Sequence, residues 1–304
     1  MNVHRQLLFV VFVAMLMLLG CKNNITHSAS YGKAYEVVVI NDIDSLLYNT
    51  LSVPMKGLPQ IEPTFDVVEI TSDKLKGDSK LVRNIVVLTI DKRQKRVDIS
   101  SKQNVYAQPQ VIINIVAPSQ SSLQIFLKKY GNELRNYLIK TELHRAQGDI
   151  ARQTNVKAAS TIYKMFGIRM QVPPELTTSK VGKNFLWLSN NASSGMVNFC
   201  IYSIGKGKFA QERDSVMRKN ILGERKGMYM RTASIVSMVH GKYNSVTIRG
   251  LWEMQNDAMG GPFVAYWKPN GKRIVVTEVF VYAPETKKRN LVRRLEAALY
   301  TRNK

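Results

Sequence analysis

Apolar and polar residues group into short strand-like runs along most of this chain, interrupted once by a long stretch of helical period. Tyr35–Ile40 is a continuous apolar run that predicts a buried strand, and Ile43–Leu51 predicts a short helix capped by Asp42. Pro54, Pro59, Pro63 and Gly57 exclude regular structure from 54–63, which reads as a rigid surface loop leading into a strand at Phe65–Ile70. Leu81–Ile90 is the most strand-like run of this half. The charged turn Asp91–Arg96 is expected to fold it back as a hairpin onto a short strand at 97–100. Val105–Val116 closes the group, with Pro109 marking an edge position or a bulge. From Ser119 the period changes. Leu123, Phe126, Leu127, Tyr130, Leu134, Tyr137 and Leu138 recur at three- and four-residue steps and so share one helix face. The pattern runs to about Arg152 and resumes over Val156–Phe166, with Gly148 and Asn155 as candidate breaks.

Strands then return at Ile168–Val172, Phe185–Ser189, Met196–Ile204, Met228–Thr232 and Val246–Met254, with a helix over 209–221. Phe263–Trp267 and Arg273–Tyr282 predict a hairpin closed by Asn270-Gly271. A last helix from about Thr286 places Leu291, Val292, Leu295, Ala298 and Leu299 toward the core. Arg289, Arg293 and Glu296 are expected to face solvent. The passages Ala117-Pro118 and Ala283-Pro284 each lead from a strand into a helix, which suggests two related halves. The expected fold is therefore α+β: two halves, each a mostly antiparallel sheet packed with helices, joined by a long helix.

The N-terminus changes where this architecture is placed. Arg5 precedes thirteen apolar residues, Leu7–Leu19, followed by Gly20-Cys21. Thirteen residues of helix reach only ~20 Å, short of a ~30 Å hydrocarbon core. The order of a basic start, a short apolar segment, small residues and then cysteine is that of a bacterial lipoprotein signal. Residues 1–20 are read as signal peptide and 21–34 as a lipidated tether on Cys21, followed by halves at 35–152 and 153–304. The chain carries 44 basic and 22 acidic residues, a net charge of +22. Such an excess favours anionic partners: head groups, glycans or acidic protein faces. The anchor places the folded part outside the cytoplasm, so nucleic acid is not expected as a partner. With Cys21 taken by lipid, Cys200 stands alone in a strand-like run, where it reads as a small buried apolar residue.

Several phrases together resemble an uncharacterised family of Bacteroidetes envelope lipoproteins, known as a domain of unknown function. They are Gly57–Pro63 followed by Phe65, Arg83-Asn84-Ile85, Gln108-Pro109-Gln110, Met230-Arg231-Thr232, Arg249–Met254, Met259–Phe263 and Tyr282–Pro284. The resemblance covers about residues 31–301. It implies an envelope lipoprotein and carries over no catalytic or ligand residue. Acidic residues just after the lipid cysteine resemble a surface-export signal in that phylum, and residues 22–26 hold none, which favours a periplasm-facing position at the outer membrane.

Chemistry is harder to find. No His-x-x-x-His or Cys-x-x-Cys spacing points to a metal, no Gly-x-Ser-x-Gly elbow to a serine hydrolase, and no cofactor is expected. Glu253 and Asp257 beside Trp252 form a candidate carboxylate pair for a glycan-active hydrolase. The Met259–Phe263 turn is the best candidate for ligand contact, through Trp252, Gly260, Gly261 and Phe263. Basic residues in 206–231 and 287–304 offer faces for an anionic envelope partner. Binding or scaffolding is the expected function, with hydrolysis as its alternative.

Overall fold

The computed structural model describes residues 28–271 and 273–302. The signal segment and the first half of the tether, Cys21 included, lie outside them. In the first half, β1 (Ser28–Ala29) pairs with β6 (Ala107–Gln108), and five strands form the main sheet. These are β2 (Glu36–Ile40), β3 (Asp66–Ile70), β4 (Asn84–Ile90), β5 (Asp98–Gln103) and β7 (Val111–Ala117), in the order β3-β2-β4-β7-β5. The pairs β2/β3, β2/β4 and β4/β7 are parallel; only β5 runs antiparallel, against β7. The expected antiparallel pairing therefore fails for this sheet, and so does the β4–β5 hairpin. The cause is apolar content: β4 and β7 are buried central strands that take each other as neighbours, while the fully exposed β5 suits an edge. Helices α1 (Leu46–Leu51) and α2 (Gln120–Arg152) cover one face, burying Val37, Val39, Val86, Leu88, Ile113 and Ile115. Asp42 accepts bonds from the amides of Leu47 and Tyr48 (3.0 and 2.8 Å), so it caps α1 although the helix begins at Leu46.

The second half contains α3 (Val156–Phe166), α4 (Phe209–Asn220) and α5 (Arg289–Leu299). Its strands are β8 (Thr178–Gly182), β9 (Phe185–Ser189), β10 (Met196–Ile204), β11 (Met230–His240), β12 (Val246–Met254), β13 (Gly260–Asn270) and β14 (Arg273–Tyr282). They form one antiparallel sheet in the order β11-β12-β13-β14-β10-β9-β8. Alternation along β12 sends Ile248, Trp252 and Met254 to the face covered by α4, and Thr247, Arg249 and Glu253 to the other. That other face is covered by α3 and α5 through Ile162, Val292, Leu295 and Leu299. Residues 168–172 form no strand; Ile168, Met170 and Val172 are buried, and Asn155 N–H donates to Val172 O. The two sheets differ in strand direction and connectivity, so the Ala-Pro similarity is a local solution for leaving a strand, not a sign of repeated halves.

The junction is built from α2, α5 and the proline loop. The α2 helix holds 33 residues, about 50 Å of rise, and its N-cap Ser119 accepts from the Ser122 amide. Asn155 caps α3 in the same way, through Ala158 N–H at 3.0 Å. The loop 54–63 is no surface feature throughout: Met55 packs into the core of the second half. Gly57, at φ +82°, presses against Arg249 so closely that a Cβ would sit 3.1 Å from the Arg249 side chain.

Candidate functional site: a polar cleft between the halves

Helix α5 carries the main surprise. Arg289, Arg293 and Glu296, expected in solvent, are 3%, 7% and 1% exposed. The apolar stripe of α5 packs on the second sheet, and the first half covers the charged stripe, so both faces are buried. The first turn is held by a carboxylate from the other half. Glu62 accepts the backbone N–H groups of Lys288 (2.7 Å) and Arg289 (3.0 Å), supplying an anion where helix amides lack partners. Arg289 donates to Pro63 O at 2.9 Å and pairs with Asp66 at 2.6 Å. Its hydrogen bond with Arg289 holds the Asp66 carboxyl below the usual range. The basic stretch at 287–294 is thus largely interface. Only Lys287 and Arg294 keep their charge on the outside of that turn.

Two turns further along, Glu296 is shared by three groups. Arg249 bonds one oxygen, the Tyr300 hydroxyl donates to it at 2.7 Å, and Arg293 reaches the other at 3.1 Å. Burial would raise the Glu296 carboxyl, but Arg249 and Arg293 outweigh it and hold it below the normal glutamate range. A second cluster lies across α2. Glu142, 1% exposed, takes Arg83 (2.9 Å), Arg145 (2.6 Å) and the Asn84 amide (2.8 Å). Between the clusters lies Tyr35, its phenol feeling Arg293, Glu296, Glu142 and Arg249, and pushed well up by burial first. Arg289 and Arg293 stand 5.9 and 5.7 Å from its ring centre. Its backbone is left-handed at φ +61°, a strained setting for an aromatic residue, held by its place between the tether and β2.

An open cleft of about 520 Å³ lies over the Glu296 cluster. Asn136, Lys140, His144 and Gln147 of α2 form one wall, Ser237 and Thr247 another, and Arg249, Arg293 and Tyr300 the floor. Among the described residues, three buried side-chain atoms have no hydrogen-bond partner: Tyr35 Oη, Arg249 Nη1 and Arg293 Nε. All three belong to this one neighbourhood.

The residues singled out from sequence lie elsewhere. Glu253 faces the α5 side of the sheet and is held cross-strand by Arg231 at 2.5 Å. Asp257 lines a separate cavity of about 440 Å³ with Trp187, Glu224, Met254 and Trp252. The structure does not bring Glu253 into that cavity. Trp252 is 3% exposed, edge-on to Phe280, with its indole N–H donating to Val281 O at 3.3 Å. Gly260 and Gly261 belong to β13 and pair with Glu253 and Trp252, so no flexible turn exists there. A Cβ on Gly261 would collide with Val281 O, which explains the glycine by strand packing. Phe263 is fully buried, with the Arg213 guanidinium 4.3 Å from its ring centre. Phe263 therefore packs in the core and the two glycines in the strand, while Trp252, though buried, edges the cavity that Asp257 lines. Cys200 is buried and its thiol is pushed well up by burial, as an apolar core residue should be. Among the described residues, no three His, Cys, Asp or Glu side chains converge as metal ligands.

The molecule is an α+β protein of two dissimilar domains that share a polar cleft. Residues 30–151 match the family described as Domain of unknown function (DUF8532), and residues 155–301 match Domain of unknown function (DUF4837). The two matches adjoin at the α2–α3 connection. They agree with the resemblance drawn from the sequence phrases as far as an uncharacterised family. No curated protein matches the chain.

Proposed function

We propose that this is a lipid-anchored, periplasm-facing component of the bacterial cell envelope that works by binding, and that its binding surface is the cleft between the domains. The observation that carries the binding reading is the pair of partnerless donors on Arg249 and Arg293, which line an open cavity, with the partnerless Tyr35 hydroxyl in the same neighbourhood. Buried polar groups are paired in almost every protein, so three exceptions in one place favour a missing partner over chance. Support for the anchor comes from the Leu18-Leu19-Gly20-Cys21 order at the end of the leader. Two or more acyl chains would give stable attachment where one is marginal. Among the described residues no helix is long and apolar enough to cross a membrane.

Two measurements test this reading. Cys21→Ala should move the protein from the membrane fraction to the soluble fraction; continued sedimentation with membranes would overturn the anchor. Affinity capture from solubilised envelopes should recover a reproducible partner or ligand that a Lys140→Glu change at the cleft rim depletes. Capture unaffected by that change would move the binding surface elsewhere.

A further inference from the structure

We infer that the cleft floor binds the oxyanion of a small ligand, a phosphate ester or a carboxylate, on the free donors of Arg249 and Arg293. This deepens the binding reading above and does not depend on the lipid anchor. Glu296 is the one carboxylate on the floor, and it faces two guanidiniums. Its oxygens are already occupied by Arg249, Arg293 and the Tyr300 hydroxyl, so it has little left to offer either arginine. One positive charge is left over in a site where Arg293 is 7% exposed. An uncompensated charge at that depth is costly, and a counter-anion relieves the cost.

Donor chemistry points the same way. Arg249 Nη1 and Arg293 Nε are N–H groups with no acceptor, and Tyr35 Oη between the clusters also lacks a partner. A guanidinium can donate but never accept, so the missing species must supply oxygen lone pairs. Arginine forks fit phosphate and carboxylate geometry especially well. The rim adds Lys140 and the neutral polar groups of Asn136, Gln147 and Thr247, and it adds no second carboxylate. The cleft volume falls within the range of about 300–1,000 Å³ usual for small-ligand sites.

Thermal melts of the full-length protein in detergent test the inference, with inorganic phosphate or acetate titrated at an ionic strength held constant with chloride. One of the two anions should raise the melting midpoint saturably. A response to phosphate identifies the phosphate ester, and a response to acetate identifies the carboxylate. Lys140→Gln, on an exposed side chain that need not disturb folding, should weaken the apparent affinity about fivefold. Arg293→Lys keeps the charge but removes Nε, and should abolish the saturable shift while the protein still melts cooperatively. No shift beyond that of chloride overturns the inference, as does a shift that both variants retain. These melts need no membrane, so their outcome is separate from that of the Cys21→Ala fractionation.

Discussion

Two buried arginine–glutamate arrangements sit on opposite faces of the second sheet, and they are built differently. On the α4 side, Arg213 and Glu278 are each fully buried and pair at 2.7 Å. Tyr202 donates to Glu278 at 2.6 Å, and Arg213 continues to Thr232 at 3.0 Å and over the Phe263 ring. Glu278 balances Arg213 in the interior, the partly exposed Asp214 adds a second carboxylate at 3.6 Å, and every polar atom of the buried pair has a partner. On the α5 side, two guanidiniums share Glu296, two of their nitrogens go unpartnered, and a cleft opens above. Burial and residue types are alike in the two places; stoichiometry differs. A closed pair accounts for itself as architecture, whereas an unbalanced one beside an opening asks for something more.

The sharpest way to break this comparison is to remove one member from each arrangement. Glu278→Ala should cost about 3–5 kcal/mol in denaturant melts, because it leaves Arg213 charged and sealed from water. Replacing both Arg213 and Glu278 with methionine and leucine should recover much of that loss. Glu296→Gln should cost about 1–3 kcal/mol, since the amide keeps one acceptor and the cleft admits water. If the two single changes cost the same and are equally insensitive to added anion, the distinction between the arrangements is lost.

Acid sharpens the contrast further. The Glu296 and Asp66 carboxyls lie below their ordinary values, so each contributes stability that is complete above about pH 4.3 and is lost as pH falls through its folded value. Glu296→Gln should therefore flatten the decline in melting midpoint between about pH 5 and pH 3, compared with the unmodified chain. An unchanged decline would mean that Glu296 is not held in this way. The smallest effect belongs to the exposed cross-strand pair. Glu253→Gln should change stability by less than about 1 kcal/mol, with the fold intact by circular dichroism.

How far the sequence could be read depended on the range of the forces involved. Period and punctuation are local, so Phe185–Ser189, Met196–Ile204, Val246–Met254 and Arg273–Tyr282 emerge with their observed limits. Ser119 and Asn155 announce their helices by their own side chains. Pairing is not local: β5 passes over its neighbour in sequence to join β7, and nothing in 91–103 records that choice. The cleft is less legible still. Arg289, Arg293 and Glu296 follow the spacing of a solvated helix face, and only the opposing domain buries them. Their partners Glu62, Asp66 and Arg249 lie in other elements, 47 residues or more away. Tyr35 looked like the first residue of a strand, and neither its left-handed backbone nor its orphaned hydroxyl leaves a mark in the pattern. One signal was available: the final helix carries three arginines and a glutamate beside a full apolar stripe, more charge of one sign than its own face can pair.

The place of α5 in the chain also sets an order of events. Arg289 meets Pro63 and Asp66 across 226 and 223 residues of sequence, and Glu62 reaches its backbone across 227. While the chain is being made, the first domain emerges early with those acceptors waiting. Domains made first usually fold first. Here Glu62, Pro63 and Asp66 of the first domain lack these partners until α5 arrives. Helix α5 acts as a keystone, so a chain cut before Arg289 leaves both halves unfinished.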